Sequence, residues 1–156
     1  MLVEVKVGAL IMDPNSSTPI VVLKGVESEA ILPIWVGAYE ANAIALEIEK
    51  IVPQRPMTHD LLRNLITQTG YRVERVTVSD LLENTFYAVI ELVDDQGQIV
   101  SLDARPSDAI ALALRADCPI FVAQKVLDLS TSSQNKADDE FDDTTKTTEE
   151  WPDVIG

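Results

Sequence analysis

The sequence predicts an α+β fold: duplicated β-β-β-α units, a mostly antiparallel sheet with helices packed against it, and one connecting helix. Three observations predict it. The first is an internal correspondence. Residues 18–53 lie over residues 84–119 at a constant offset of 66, with Ala43-Ile44-Ala45-Leu46 over Ala109-Ile110-Ala111-Leu112 and Pro53 over Pro119. A register held from hairpin through helix to proline is best explained by duplication. The second is period-two alternation at the head of each half, and the third is a helical stripe at its end. The duplication further predicts a pseudo-twofold that lays Ala43–Ile48 over Ala109–Leu114.

The elements follow in order. In the first half Val3, Val5, Val7, Ala9 and Ile11 alternate with other residues, which predicts a leading strand. A hairpin through PIVVLKGV and ILPIWV follows, and then a helix over 38–51. Its stripe is Ala41, Ile44, Ala45 and Ile48, with Glu40, Glu47 and Lys50 outward. The connecting helix is PMTHDLLRNLITQTG, with a stripe of Leu61, Leu62, Leu65 and Ile66, Thr58 as N-cap and Gly70 as stop. The second half opens with Tyr71, Val73, Val76 and Val78, where the break at Glu74-Arg75 predicts a bulge. Its hairpin carries Phe86, Ala88, Ile90 and Leu92 on one face and turns at Asp94-Asp95-Gln96-Gly97, Gly97 taking positive φ. The helix over 106–116 is apolar nearly all round, hence the more buried of the two.

Composition bounds the chain. Its 156 residues suit one domain, 1–128, followed by an acidic, disordered tail, 129–156. The tail's Trp151 and Val154-Ile155 make a candidate docking motif for a protein partner. No apolar run spans a bilayer, and MLVEVKVGALIMD reads as a strand and not as a signal peptide, so no membrane association and a cytoplasmic location are expected. The single cysteine, Cys118, precedes PIFV and is expected to pack as a small apolar residue. The net charge is −14: residues 129–156 hold eight acidic and two basic side chains, a net of −6, which leaves −8 on residues 1–128. An acidic body repels phosphate at long range, so action on DNA or RNA requires a local basic patch, a divalent cation or both. Arg55, Arg63, Arg105 and Arg115 sharing one face with His59 would supply such a patch. Strands with few charges (PIVVL, ILPIWV, PIFVA) invite pairing with a second copy, so a homo-oligomer, a dimer first, is expected.

The chemistry concentrates at two helix starts, Thr58-His59-Asp60 and Asp103-Ala104-Arg105-Pro106-Ser107-Asp108. Part of the second serves the helix itself. Pro106 suits the first helical position, and Ser107 and Asp108 suit the positive end of the helix dipole. The equivalent junction of the first half, Gly37 to Asn42, is blander, so capping alone does not demand the polar set. Neither a glycine-rich phosphate loop nor HExxH is present, and no spacing favours a Ser107-His59-Asp triad.

Three segments in order, RPMTHDLL (55–62), TFYAVIEL (85–92) and DARPSDAIALALR (103–115), resemble the bifunctional nuclease family. The resemblance covers roughly residues 1–127, and His59, Asp60, Thr85, Phe86, Asp103, Arg105, Pro106, Ser107 and Asp108 match the family pattern. It implies a nuclease hydrolysing phosphodiester bonds in DNA and/or RNA. His59, Asp60, Asp103, Arg105, Ser107 and Asp108 would form the catalytic set, and Phe86 and Pro106 would serve structure. In the metal-assisted form, Asp103 and Asp108, with Asp60, hold Mg²⁺ or Mn²⁺; Arg105 clamps a phosphate oxygen; His59 acts as general acid or base. No organic cofactor is implied. The alternative is a non-catalytic module whose cleft binds an anion or a protein. A single cleft further requires that the two polar helix starts converge.

Overall fold

The computed structural model describes the backbone of residues 1–142 and the side chains of residues 1–133. Seven strands and four helices follow one another as β1 (Leu2–Met12), β2 (Pro19–Gly25), β3 (Ile31–Trp35), α1 (Ala38–Ile48), α2 (Thr58–Gln68), β4 (Tyr71–Leu82), β5 (Thr85–Asp94), β6 (Ile99–Ala104), α3 (Pro106–Ala116), β7 (Ile120–Ala123) and α4 (Gln124–Asp142). The fold is α+β, and the strands form one sheet in the order β3-β2-β1-β7-β4-β5-β6. All pairings are antiparallel except β4 with β7, which is parallel through Val76↔Ile120 and Val78↔Val122.

The short strand β7 sits at the centre because its apolar positions are wanted on the core side: Ile120 and Val122 are buried. Outward from it the order reads β1, β2, β3 on one side and β4, β5, β6 on the other, each triplet being followed in the chain by a helix. The predicted bulge is present, with the register of β4 slipping between Val73 and Arg75, and β1 slips between Val7 and Ala9. Gly8 and Glu74, the residues skipped, stand at the same offset of 66 as the sequence correspondence. The helices that follow the two triplets acquire different surroundings. Helix α3 is enclosed, with Ala109, Ile110, Ala111 and Leu112 fully buried, whereas α1 buries only Ala41, Ala43 and Ile44.

Several expectations are corrected. Helix α1 stops at Ile48, and Lys50 takes φ 56°, a left-handed conformation that ends the helix before residue 51. Ile48 is exposed, at the uncovered end of the stripe. The N-cap of α2 is Met57, with Thr58 as first helical residue. Of the α2 stripe, Ile66 is buried and Leu62 partly so, but Leu61 and Leu65 are exposed, because α2 rests chiefly on α3 and β4. The strands PIVVL and PIFVA are interior strands paired on both sides, and the open edges are β3 and β6. The tail boundary expected at 129 falls inside α4, which continues to Asp142. Residues 143–156, with Trp151 and Val154-Ile155, lie outside the described residues. Among the described residues no helix is long and apolar enough to cross a membrane. Cys118 is partly buried, and burial pushes its thiol up to about 11, so it packs as the small apolar residue expected.

Candidate functional site

Three helices start beside one another, and each carries an acidic residue three places in: Glu40 in α1, Asp60 in α2 and Asp108 in α3. A carboxylate there complements the partial positive charge of the unpaired amides. The three acids then take different partners.

Asp60 is committed to structure. One oxygen accepts from the Met57 backbone N–H at 2.9 Å, which caps its own helix, and the other accepts from Arg115 Nε at 2.9 Å. Arg115, at the end of α3, is 4% exposed. Its two terminal nitrogens donate to the carbonyls of Ala111 at 2.9 Å and Ala43 at 3.0 Å. One side chain thereby ties α1, α2 and α3 together. Burial works to raise the Asp60 carboxyl, but the bonds from Met57 and Arg115 outweigh it and hold it below its ordinary value. A depressed folded value means that Asp60 stabilises above the unfolded value near 4, and that this contribution is lost as pH falls through the lower folded value. The thermal midpoint of Asp60→Asn should therefore lie furthest below wild type at pH 6–7. The gap should narrow below about pH 4; a gap that does not vary with pH would contradict the tie.

Asp108 is committed to the cavity. Oδ1 lies 2.9 Å from His59 Nε2, and Oδ2 accepts from Arg105 Nε at 2.9 Å. Arg105 also donates to Glu40 Oε1 at 2.7 Å. The chain His59–Asp108–Arg105–Glu40 thus joins the N-termini of all three helices, and the two polar starts do converge. A carboxylate can only accept, so Nε2 is the donor of this contact, and in a neutral imidazole the lone pair then falls on Nδ1. The His59 side chain is 12% exposed and Arg105 is 67% exposed. The Asp108 and Glu40 carboxylates beside Arg105 push its guanidinium further above its ordinary value, so it is a permanent cation.

These groups border a cavity of about 740 Å³ between the starts of α1 and α2 and the β5–β6 hairpin. Its walls are largely apolar: Tyr39, Met57, Leu62, Ile90 and Leu102. Ser107 is buried and lines a different, smaller cavity with Trp35, Asn84, Thr85 and Phe86. Among the described residues its hydroxyl makes no bond to His59, so no Ser107-His59-Asp triad is assembled.

Asp103 borders the large cavity from edge strand β6. Strand alternation separates it from its neighbours, however. Leu102 opposite Ile90 and Ala104 opposite Ala88 share the cavity face, while Asp103 opposite Val89 belongs to the other. Asp103 and Asp108 nevertheless line the same cavity, and among the described residues no three His, Cys, Asp or Glu side chains converge to cage a metal ion. The cavity lining carries three carboxylates, Glu40 and Asp108 bonded to Arg105, and Asp103 on the edge strand, a set that suits a hydrated cation shared with substrate phosphates.

Of the four arginines whose gathering beside His59 would make a basic patch, only Arg105 lines the cavity, and Arg115 is withdrawn into the helix tie. Glu40, read as outward from the helical period, is the residue that sequence reasoning missed. Tyr39 and Asn42 also line the cavity. The signal was available, since the offset of 66 places Tyr39 over Arg105 and Asn42 over Asp108.

The model of the bifunctional nuclease domain matches residues 21–135. The chain belongs to the bifunctional nuclease domain family. Among relatives in this family, a protein of Mycobacterium tuberculosis described as uncharacterized is 42% identical over 124 residues, covering 80% of this chain and 73% of its own. Bifunctional nuclease 2 of Oryza sativa subsp. japonica is 31% identical over 97 residues, which is 61% of this chain and 30% of the plant protein. Bifunctional nuclease 1 of Oryza sativa subsp. indica is 28% identical over 101 residues, 64% of this chain and again 30% of the plant protein. The shared part is the domain that carries the joined helix starts.

Proposed function

We propose that the domain is a nuclease that hydrolyses phosphodiester bonds of DNA or RNA at the His59–Asp108–Arg105 cluster. The observation that carries the reading is the His59–Asp108 contact at the wall of an open cleft, in a chain whose named plant relatives are bifunctional nucleases. Asp108 fixes the imidazole and stabilises its protonated form. Nδ1, which has no partner among the described residues, takes a proton from water as the water oxygen bonds to phosphorus. The P–O bond to the leaving oxygen breaks, and that oxygen takes up a proton from solvent, while His59 gives the proton it accepted back to solvent. Arg105, two-thirds exposed, keeps its Nε on Asp108 and offers its terminal nitrogens, one of them now on Glu40, to the non-bridging oxygens. Mg²⁺ or Mn²⁺ belongs to the same proposal: held by Glu40 and Asp108 with a substrate phosphate, it would neutralise charge and lower the pKa of a bound water.

The test is cleavage of end-labelled single- and double-stranded DNA and RNA by the full chain, with Mg²⁺, with Mn²⁺ and with chelator. His59→Gln should lose about a hundredfold or more in kcat. Equal cleavage by wild type and His59→Gln would remove this site as the source of activity. Equal cleavage with chelator and with metal would remove the cation from the proposal. Binding of nucleic acid with no cleavage under any condition would favour the non-catalytic module.

A further inference from the structure

The cavity poses a problem of affinity. Proteins that hold duplexes through the backbone neutralise several phosphates at once, with one basic side chain for each. Here the body carries −8 on residues 1–128, and Arg105 is the one arginine lining the cavity, flanked by Glu40 and Asp108. Phosphate contacts inside the cavity cannot supply most of the binding there. The remaining source is apolar burial, and the cavity is built for it. Its volume of about 740 Å³ lies inside the roughly 300–1,000 Å³ of pockets that enclose small molecules. Its walls are Met57, Leu62, Ile90 and Leu102.

At the lip stands Tyr39, on the first turn of α1. It is 90% exposed, although it lines the cavity, and makes no side-chain hydrogen bond among the described residues. A bare aromatic ring at the mouth of an apolar pocket, next to a lone arginine, is suited to a planar ring with a phosphate attached. A base inside a duplex cannot reach either surface without leaving the stack. An unpaired base reaches both at little cost.

We propose that the site selects unpaired nucleotides: one base of a single-stranded DNA or RNA enters the cavity against Tyr39, and its phosphate lies at Arg105. This rests on the nuclease reading of the same site. Tyr39 is a specificity-determining residue in this arrangement, and single strands are the substrate class.

The experiment compares cleavage of one labelled sequence as single strand and as blunt duplex, in DNA and in RNA, by wild type, Tyr39→Ala and Tyr39→Phe. Single strands should be cut about tenfold faster or more. Tyr39→Ala should raise KM for the single strand about tenfold with kcat nearly unchanged, and Tyr39→Phe, which keeps the ring, should stay near wild type. Duplex cut as fast as single strand would overturn the inference and leave the nuclease reading intact, as would a KM indifferent to Tyr39→Ala. If nothing is cleaved, fluorescence anisotropy with the labelled single strand decides. Binding weakened by Tyr39→Ala but not by Tyr39→Phe upholds the inference while the nuclease reading fails. No binding, or binding indifferent to Tyr39, overturns both.

Discussion

Arg115→Leu is expected to destabilise the fold by about 3 kcal/mol, the scale on which one partner of a buried pair is lost. Leucine fills much of the space but leaves Asp60 Oδ1 without its partner and removes the second bond at the carbonyls of Ala43 and Ala111, which keep their helical amides. The unpaired carboxylate oxygen costs roughly 1–3 kcal/mol if no water reaches it, and the broken contacts of the buried guanidinium add to that. Asp60, 23% exposed, recovers some hydration, which keeps the loss at the low end for a broken buried pair. Arg115→Lys should fall between, because one ammonium cannot reproduce a fork spanning three helices. Asp60→Asn should cost less than Arg115→Leu, since the amide oxygen still accepts. Urea unfolding measures all three, and an Arg115→Leu loss under about 1 kcal/mol would show that the tie is ornamental. The consequence reaches function, because the tie holds α2 against α3 and thereby sets the distance from His59 to Asp108.

What was legible in the sequence was local. The bounds of α3 are those predicted, because Pro106 can only begin such a helix and Asp117, at φ 55°, closes it. The bulge at Glu74 was legible because a slip in period-two alternation is itself a sequence feature. Convergence of the two helix starts was inferred from polarity at the heads of otherwise apolar helices, and His59 does meet Asp108 across 49 residues of separation. Coverage was not legible. Leu61 and Leu65 have the spacing of a buried stripe, but periodicity cannot say how wide a face the neighbours will take. Glu40 has the opposite history: it lies on a polar face, and that face meets Arg105 from the other half of the chain. Asp60 and Asp108 looked alike as first-turn acids. Only the arrival of Arg115 from 55 residues away separates the structural one from the one at the cavity.

Asp108→Asn is expected to abolish most activity while leaving the fold in place. The argument turns on a single amide oxygen. Asp108 now accepts twice, from His59 Nε2 with Oδ1 and from Arg105 Nε with Oδ2. Asparagine can accept at only one of these positions, and Arg105, which never gives up its proton, claims the oxygen. The amide NH₂ then faces Nε2 and requires a lone pair there. The imidazole answers by moving its proton to Nδ1, which is the atom proposed to accept a proton from water. The base is therefore lost through its tautomer and not through its position, an effect that reaches about 10⁴ in kcat where an enzyme relies on such a dyad. A loss of about 10²–10⁴ is expected here, with the lower bound set by general-base catalysis alone. Stability should change little, because Asp108 is 28% exposed and asparagine still serves the first turn of α3. His59→Gln combined with Asp108→Asn should be no worse than the more damaging of the two, since both remove one function. Kinetics on the three variants, with urea midpoints alongside, separate the outcomes. Additive losses would mean that the two residues act independently. A large fall in the midpoint with unaltered cleavage would make Asp108 a helix cap and leave the site without its base.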